Sequence, residues 1–185
     1  MGKELKILIK ECQRNKRDAQ EEVYKRFSDK LFSVCLRYTK NYEDAQDIFQ
    51  DGFILIFKKI GQYEFKGSFE GWMRRIMVNL CIEKFRNTNY LYVVNEEITA
   101  DEEVADELIE DENEFSYEEL LGFVRQLPAR YGQIFNMYVI DGYSHKQISD
   151  LLNISVGTSK SNLSRAREKL IHLINKKSTE KIVSK

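Results

Sequence analysis

From Asn87 to Val124 the chain carries 13 Asp or Glu and not one Lys or Arg. A stretch so dense in like charge and poor in aromatic residues buries too little apolar surface to offset the entropy of ordering it. It divides the 185-residue chain into two blocks, each of a size for one small domain. Both blocks are basic. Residues 1–86 hold 18 Lys or Arg against 13 Asp or Glu, and residues 125–185 hold 11 against 4. The net charge of −1 conceals this segregation. Basic blocks attract nucleic acid, and an acidic bridge is repelled by it. The expected organisation is two domains over 1–90 and 116–178, joined by a flexible acidic linker over 91–115. Composition leaves open whether that linker is a solvated spacer or a docking segment.

No apolar run is long enough to span a bilayer, and the opening MGKELKILIKEC has no signal-peptide core. A cytoplasmic protein without membrane insertion is expected. Cys12, Cys35 and Cys81 are widely spaced and fall in helical apolar patterns, which points to buried free thiols. The only histidines are His145 and His172, so no zinc site can be assembled, and no metal is expected. No P-loop, dinucleotide fingerprint or nucleophile motif is present, so neither a cofactor nor a catalytic residue is assigned. With one proline, Pro128, and little strand-type alternation, an all-α protein follows.

The first block reads as a helical bundle. A short helix lies near Glu4–Cys12. Ala19, Val23, Phe27, Leu31, Cys35 and Tyr38 recur at helical spacing, predicting a long helix from Asp18 to Lys40 that Asn41 and Tyr42 break. A second run, Ala45, Ile48, Phe49, Gly52, Phe53, Ile56, Phe57 and Ile60, ends near Gly61. Its outer face sets Asp44, Asp47, Gln50 and Asp51 beside Ile54 and Leu55. That mixture fits a protein-binding face and also an ordinary charged surface. A loop over Gln62–Gly67 leads to Ser68, an N-cap type residue. The helix that follows carries Phe69, Trp72, Ile76, Leu80 and Phe85, with Arg74, Arg75, Asn79, Lys84 and Arg86 around them. Basic residues interleaved with aromatics suit single-stranded nucleic acid, held by stacking and phosphate contact. Core packing competes for Phe69 and Trp72, but less for Phe65 in the loop.

The second block contains two capped helices joined by a tight turn. Ser144 and Gln147 have capping-box spacing before Ile148, Leu151 and Leu152. Asn153 tolerates the left-handed conformation that such a turn requires. Ser155 caps the next helix. There Val156, Leu163, Ala166 and Leu170 share one face, and Gly157, Thr158, Ser161, Ser164 and Arg165 share the other. The second face is small, polar and basic, able to approach a DNA groove and offer donors. This is the pattern of a helix-turn-helix.

Three segments in order, DAQDIFQDGFILIF (44–57), FKGSFEGWMRRIMVNLCIEKFR (65–86) and LPARYGQIFNMYVIDGYSHKQISDLLNISVGTSKSNLSRAREKL (127–170), resemble the sigma-70 family of bacterial RNA polymerase sigma factors. The short two-domain form is similar to the extracytoplasmic-function (ECF) group. The resemblance implies promoter recognition, strand opening and recruitment of core polymerase, without catalysis. Its implied partners are promoter DNA, the clamp helices of the largest polymerase subunit, the flap region, and an anti-sigma factor. It implies that Asp47, Gln50, Asp51 and Phe53 dock on the clamp helices. The loop Phe65, Lys66, Gly67 and Ser68 matches the segment that captures a flipped base of the minus-ten element. Trp72, Arg75, Ile76 and Asn79 match the helix supporting that readout. On the second helix of the turn motif, Lys160, Ser161, Ser164 and Arg165 match readers of the minus-thirty-five element. Thr158 and Arg167 lie nearer the phosphates, Ser155 at the helix start belongs to the same minus-thirty-five face, and for Arg167, close to the apolar edge, a structural role competes. A helix-turn-helix regulator of duplex operators shares the C-terminal motif but leaves the acidic–aliphatic helix and the Phe65–Ser68 loop unexplained. A metal-dependent nucleic-acid enzyme would need its acids at defined spacing, which residues 96–119 lack.

Overall fold

A computed structural model describes residues 2–39, 41–89 and 115–183. All regular structure among the described residues is helical, and it falls into two units, Met1–Leu91 and Tyr92–Lys185. The linker expected over 91–115 falls, except for Phe115, outside the described residues. Among the described residues no helix is long and apolar enough to cross a membrane.

The first unit comprises α1 (Lys3–Gln13), α2 (Arg17–Tyr38), α3 (Tyr42–Lys59), one 3-10 turn (Ile60–Gln62) and α4 (Phe69–Asn89). The break expected at Asn41 and Tyr42 is sharper than a breaker would make it. Asn41 is the N-cap of α3, its side chain accepting from the Asp44 N–H at 2.7 Å, and Tyr42 is the first helical residue. A cap of this kind contributes about 0.5–2 kcal/mol. Helix α2 buries Ala19, Val23, Phe27, Leu31 and Cys35 as its spacing predicts, and Val34 joins them. Tyr38 and Phe57, expected inside, are half-buried. On α4 the inward stripe is Phe69, Met73, Met77, Cys81 and Ile82, while Trp72, Ile76 and Leu80 are half-buried. The expected stripe was rotated by about one residue because the two methionines, soft gap-fillers, take the innermost places.

Met77 meets a glycine. A Cβ added at Gly52 would overlap Sδ and Cε of Met77 and lie 3.6 Å from Leu80 Cδ1. The missing side chain lets α3 and α4 approach closely.

The second unit comprises α5 (Tyr117–Gln126), α6 (Ala129–Phe135), a widened turn (Asn136–Ile140), α7 (His145–Leu152) and α8 (Val156–Val183). The widened turn is closed by the Asp141 N–H donating five residues back to Asn136 O at 2.9 Å. Phe123, Val124 and Leu127 of α5 and its end pack with Ala166 and Leu170 of α8. Ile134, Met137, Ile148, Leu152 and Leu163 are also buried. The turn motif forms as its sequence predicts. Ser144 and Gln147 make both bonds of the capping box, Asn153 has φ 53° and ψ 51°, and Ser155 Oγ accepts from the Thr158 N–H at 2.9 Å. Two inward positions differ from expectation. Val156 is exposed and Leu151 half-buried. Ser159 and Asn162, polar residues, face inward on α8 in place of an apolar first turn.

Gly52→Ala is expected to lower the stability of the first unit by about 1–3 kcal/mol, the usual cost of overfilling a packed core. Combined with Met77→Ala it should cost less than the sum of the two single changes, because the second removes the overlapping atoms. Urea unfolding of the four variants measures this, and strict additivity would refute the close approach.

Candidate nucleic-acid interface and docking face

Helix α3 carries Asp47, Gln50, Asp51 and Ile54 at positions i, i+3, i+4 and i+7, one stripe on a helix. All four are exposed, Ile54 at 67%, and Leu55 beside them is half-buried. Asp47 and Asp44 lie 3.6 and 3.9 Å from Lys84 Nζ, exposed pairs that contribute little stability. The fourth residue assigned to this face from sequence, Phe53, is not on it. Phe53 is 4% exposed, with ring centroids 4.7 Å from Tyr24, 5.0 Å from Phe49 and 5.8 Å from Phe57. A ring enclosed by three others belongs to the core. It can set the angle of α3 but cannot touch a partner.

The α3–α4 loop is built around Tyr63. Its ring is buried, and its hydroxyl donates to the Gly67 carbonyl at 3.0 Å across the loop. Burial pushes its phenol above the ordinary range, so it stays a donor at physiological pH. Phe65, Phe69 and Trp72 surround it at centroid distances of 5.3, 5.1 and 5.5 Å, and Phe69 stacks on Trp72 at 5.8 Å. Such pairs contribute about 0.5–1.5 kcal/mol each beyond area burial. The backbone turns through two left-handed residues, Phe65 (φ 60°) and Gly67 (φ 78°). Glycine adopts this conformation freely; phenylalanine pays about 1–2 kcal/mol. Phe65 was expected to have nothing to pack on. Instead it rests half-buried on Tyr63, with Lys6 Nζ 5.6 Å from its ring centroid. Lys66, exposed, is paired with Glu64 at 2.6 Å. Ser68 Oγ accepts from the Gly71 N–H at 3.3 Å, capping α4. Arg75 and Asn79 are exposed and Trp72 and Ile76 half-buried, a stripe running on from the loop.

On α8, Lys160 and Arg167 are exposed and Arg165 is half-buried. The small hydroxyls are tied to their own helix. Ser155 and Thr158 share a hydrogen bond at 2.8 Å, Ser161 Oγ donates to Thr158 O at 3.2 Å, and Ser164 Oγ donates to Glu168 Oε1 at 3.3 Å. The long cations are therefore the extended donors of this face. Glu168, which the sequence reading passed over, stands four residues from Ser164 on the same side.

His145, which in the sequence counts only as a possible metal ligand, joins two helices. Its Nδ1 lies 2.9 Å from Oγ of the fully buried Ser159, and its ring stacks on Tyr138 with centroids 4.3 Å apart. The first residue of α7 is thereby joined to the first turn of α8. Burial, then Lys160 and Arg167, hold the imidazole below its usual value of 6.5. Ser159 and His145, at the starts of adjacent helices, were the available signal. Among the described residues no three His, Cys, Asp or Glu stand close enough to hold a metal ion.

A family model described as sigma-70 region 2 matches residues 23–89, and one described as sigma-70 region 4 matches residues 117–170. The ECF RNA polymerase sigma factor SigW of Bacillus subtilis (strain 168) is 30% identical over 177 residues, covering 90% of this chain and 94% of SigW. The chain belongs to the ECF group of the sigma-70 family. The ECF sigma factor SigE of Mycolicibacterium smegmatis is 25% identical over 165 residues, covering 86% of this chain and 63% of that protein. Two solved structures share the fold at 18% identity. CnrH in complex with the cytosolic domain of CnrY covers 91% of this chain with a TM-score of 0.51. The sigma factor RpoE in complex with the anti-sigma factor NepR from Bartonella quintana covers 84% with a TM-score of 0.53. CnrH and RpoE are each covered to 96% of their own length. As an RNA polymerase sigma factor, the chain acts in promoter recognition and transcription initiation, not as a regulator of duplex operators.

The His145–Ser159 bond carries a pH expectation. A histidine whose folded value is depressed takes up its proton first in the unfolded chain, so its contribution is present above about 6.5 and is lost as pH falls through the folded value. The second unit should lose stability on acidification over that window, and His145→Phe should remove that part of the loss. At pH 7.5 the same variant, with Ser159 left unpaired, should cost about 1–3 kcal/mol, most of it recovered by adding Ser159→Ala. Denaturant unfolding followed at pH 5.5 and 7.5 decides it; an unchanged pH dependence in the variant would assign the acid sensitivity elsewhere.

Proposed function

We propose that the first unit docks the chain on core polymerase and opens the minus-ten element, while the second unit reads the minus-thirty-five element. The observation that carries the reading is the α3 outer face. An isoleucine two-thirds exposed, flanked by Asp47, Gln50 and Asp51, sits above an inner face closed by aromatic packing. A duplex-binding regulator has no use for such a face, and DNA would be repelled by it. Its chemistry suits a protein partner with basic and apolar side chains, taken here as the clamp helices of the largest polymerase subunit. The flap region is the matching partner for the second unit. The solved relative RpoE was obtained with an anti-sigma factor, and this chain is proposed to be held by one in the same way. The chain carries no reaction itself, works in the cytoplasm, and uses residues 91–115 as the linker between domains 1–90 and 116–178.

Opening duplex DNA costs roughly 1.4 kcal/mol per stacked step. A protein without fuel offsets that only by binding the opened strand better than the duplex. The Phe65–Ser68 loop supports this role on three counts. Its ends are fixed on two rigid helices, its backbone is held in an uncommon conformation at Phe65, and the half-buried rings of Phe65 and Trp72, braced from beneath by the buried Tyr63, offer stacking surfaces. Trp72, Arg75, Ile76 and Asn79 continue the surface along α4. On α8, Lys160, Arg165 and Arg167 supply groove and phosphate contacts, with Ser155, Thr158, Ser161 and Ser164 shaping the approach.

Two outcomes follow. Asp51→Arg should weaken association with core polymerase by several kcal/mol of like-charge opposition, with unchanged thermal unfolding of the free chain. Binding to core as tight as wild type would remove this face from the reading. Phe65→Ala should still recruit polymerase but open promoters poorly, and a premelted bubble template should rescue it. Permanganate reactivity of unpaired thymines on duplex and bubble templates reports this; normal opening by the variant would reduce Phe65 to packing.

A further inference from the structure

Helix α1 has no role in the reading above. Its outer face carries Lys3, Lys6, Ile7 and Lys10 at helical spacing, and Arg14 continues the line just past the helix end. All five are exposed. The two carboxylates of the helix are turned to other partners, Glu4 to Arg26 at 3.8 Å and Glu11 to Lys16 at 2.7 Å. Elsewhere in this unit Lys25, Lys30, Lys66 and Lys84 each have a carboxylate within 4 Å, while among the described residues Lys58 and Lys59 at the end of α3 have none. Lys3, Lys6, Lys10 and Arg14 have no carboxylate partner among the described residues. The contrast matters most at the loop. Lys66, the loop's own cation, is neutralised by Glu64, so the unpaired ammonium next to Phe65 is that of Lys6.

The placement of this stripe is fixed by two further bonds. Gln13 Nε2 donates to the carbonyls of Ile60 and Tyr63, both at 3.0 Å. These carbonyls stand at the foot of the loop. Helix α1 is therefore anchored to the loop's base at one end and reaches its tip through Lys6 over the Phe65 ring.

We propose that α1 forms part of the DNA track of the first unit, with Lys3, Lys6, Lys10 and Arg14 holding phosphates of the strand whose base enters the Phe65–Ser68 loop. This rests on the assignment of that loop to the minus-ten element. From Lys3 to Arg14 the stripe runs about 16 Å at helical rise, long enough to face several phosphates spaced about 3.4 Å or more apart along a strand. Phosphate contacts position a strand without reading it. The stripe thus adds hold and register, while base choice stays with the loop. Single-stranded DNA fits better than an acidic protein segment, because Lys6 of the stripe stands over the ring of Phe65, in the loop assigned to hold a base.

The test uses the full chain bound to core polymerase and a premelted bubble promoter selected with the wild-type holoenzyme. A variant with Lys3→Gln, Lys6→Gln and Lys10→Gln changes exposed positions only, and its thermal unfolding should match wild type. Each phosphate contact to a single strand contributes about 0.7 to the slope of log affinity against log salt. Three lost contacts should lower the slope by about 2, shorten the lifetime of the open complex, and leave minus-ten base preference unchanged. An unchanged slope and lifetime would overturn the proposal and leave α1 to a protein partner. A changed base preference would overturn it as a phosphate track. Phe65→Ala, assayed in parallel for opening of the duplex promoter, judges the loop assignment alone, since it removes no charge and should leave the salt slope on the bubble intact.

Discussion

The bond from the buried Tyr63 hydroxyl to the Gly67 carbonyl is what gives the α3–α4 loop a shape. The segment between Gln62 and Phe69 has no helical ladder to define it, and it contains two left-handed residues. A loop of that kind left to itself would sample many conformations. Tyr63 removes that freedom by serving two sides at once. Its ring is a wall of the core, against Phe69 and Trp72, and its hydroxyl holds the far end of the loop. The Gln13 amide ties down the carbonyl of the same residue. The conformational cost at Phe65 is borne because everything around it is already fixed.

The second unit uses the same device with a different ring. His145 lies flat on Tyr138 and is bonded to a serine in the first turn of α8. The angle between α7 and α8 decides how far the outer face of α8 projects. That angle rests on the Asn153 turn and on the partly buried His145–Ser159 hydrogen bond. In both units a ring held in place by neighbouring rings, tilted at Tyr63 and stacked at His145, orients a segment through its polar atom. The placement is more exact than apolar packing alone gives, because a hydrogen bond is directional and its loss leaves a buried group unpaired.

Much of this was legible in the sequence where chemistry is local. Ser144 with Gln147, Asn153, Ser155 and Ser68 act within three or four residues of themselves, so their roles can be read from spacing alone. The outer stripe of α3 was legible too, since a charged residue amid aliphatics marks a solvent face. What was not legible depends on neighbours distant in sequence. Phe53 belongs by its spacing to the apolar run of α3, and it was the family resemblance that assigned it to the docking face; Tyr24 on α2, with Phe49 and Phe57, closes around it. Met77 outranks Ile76 on α4 because the space left at Gly52, on another helix, is filled by its thioether. Phe65 looked unsupported until α1 delivered Lys6 to its face. Nothing local marks the polar Ser159 and Asn162 as inward residues, and at Ser159 it is the imidazole of His145 that makes the inward position tolerable.

The three cysteines, all free and all buried, have a use outside the cell. Burial pushes the Cys12 thiol up to about 11, so at neutral pH almost none of it is thiolate, the species that attacks an electrophile. Cys35 and Cys81 are enclosed in the same helical core. A maleimide dye added to the folded chain meets no accessible thiol, whereas a cysteine introduced at an exposed position such as 54 or 160 would be labelled at once. Fluorescence work on the motions of either unit can thus start from the natural sequence, with no native cysteine replaced and no core packing disturbed.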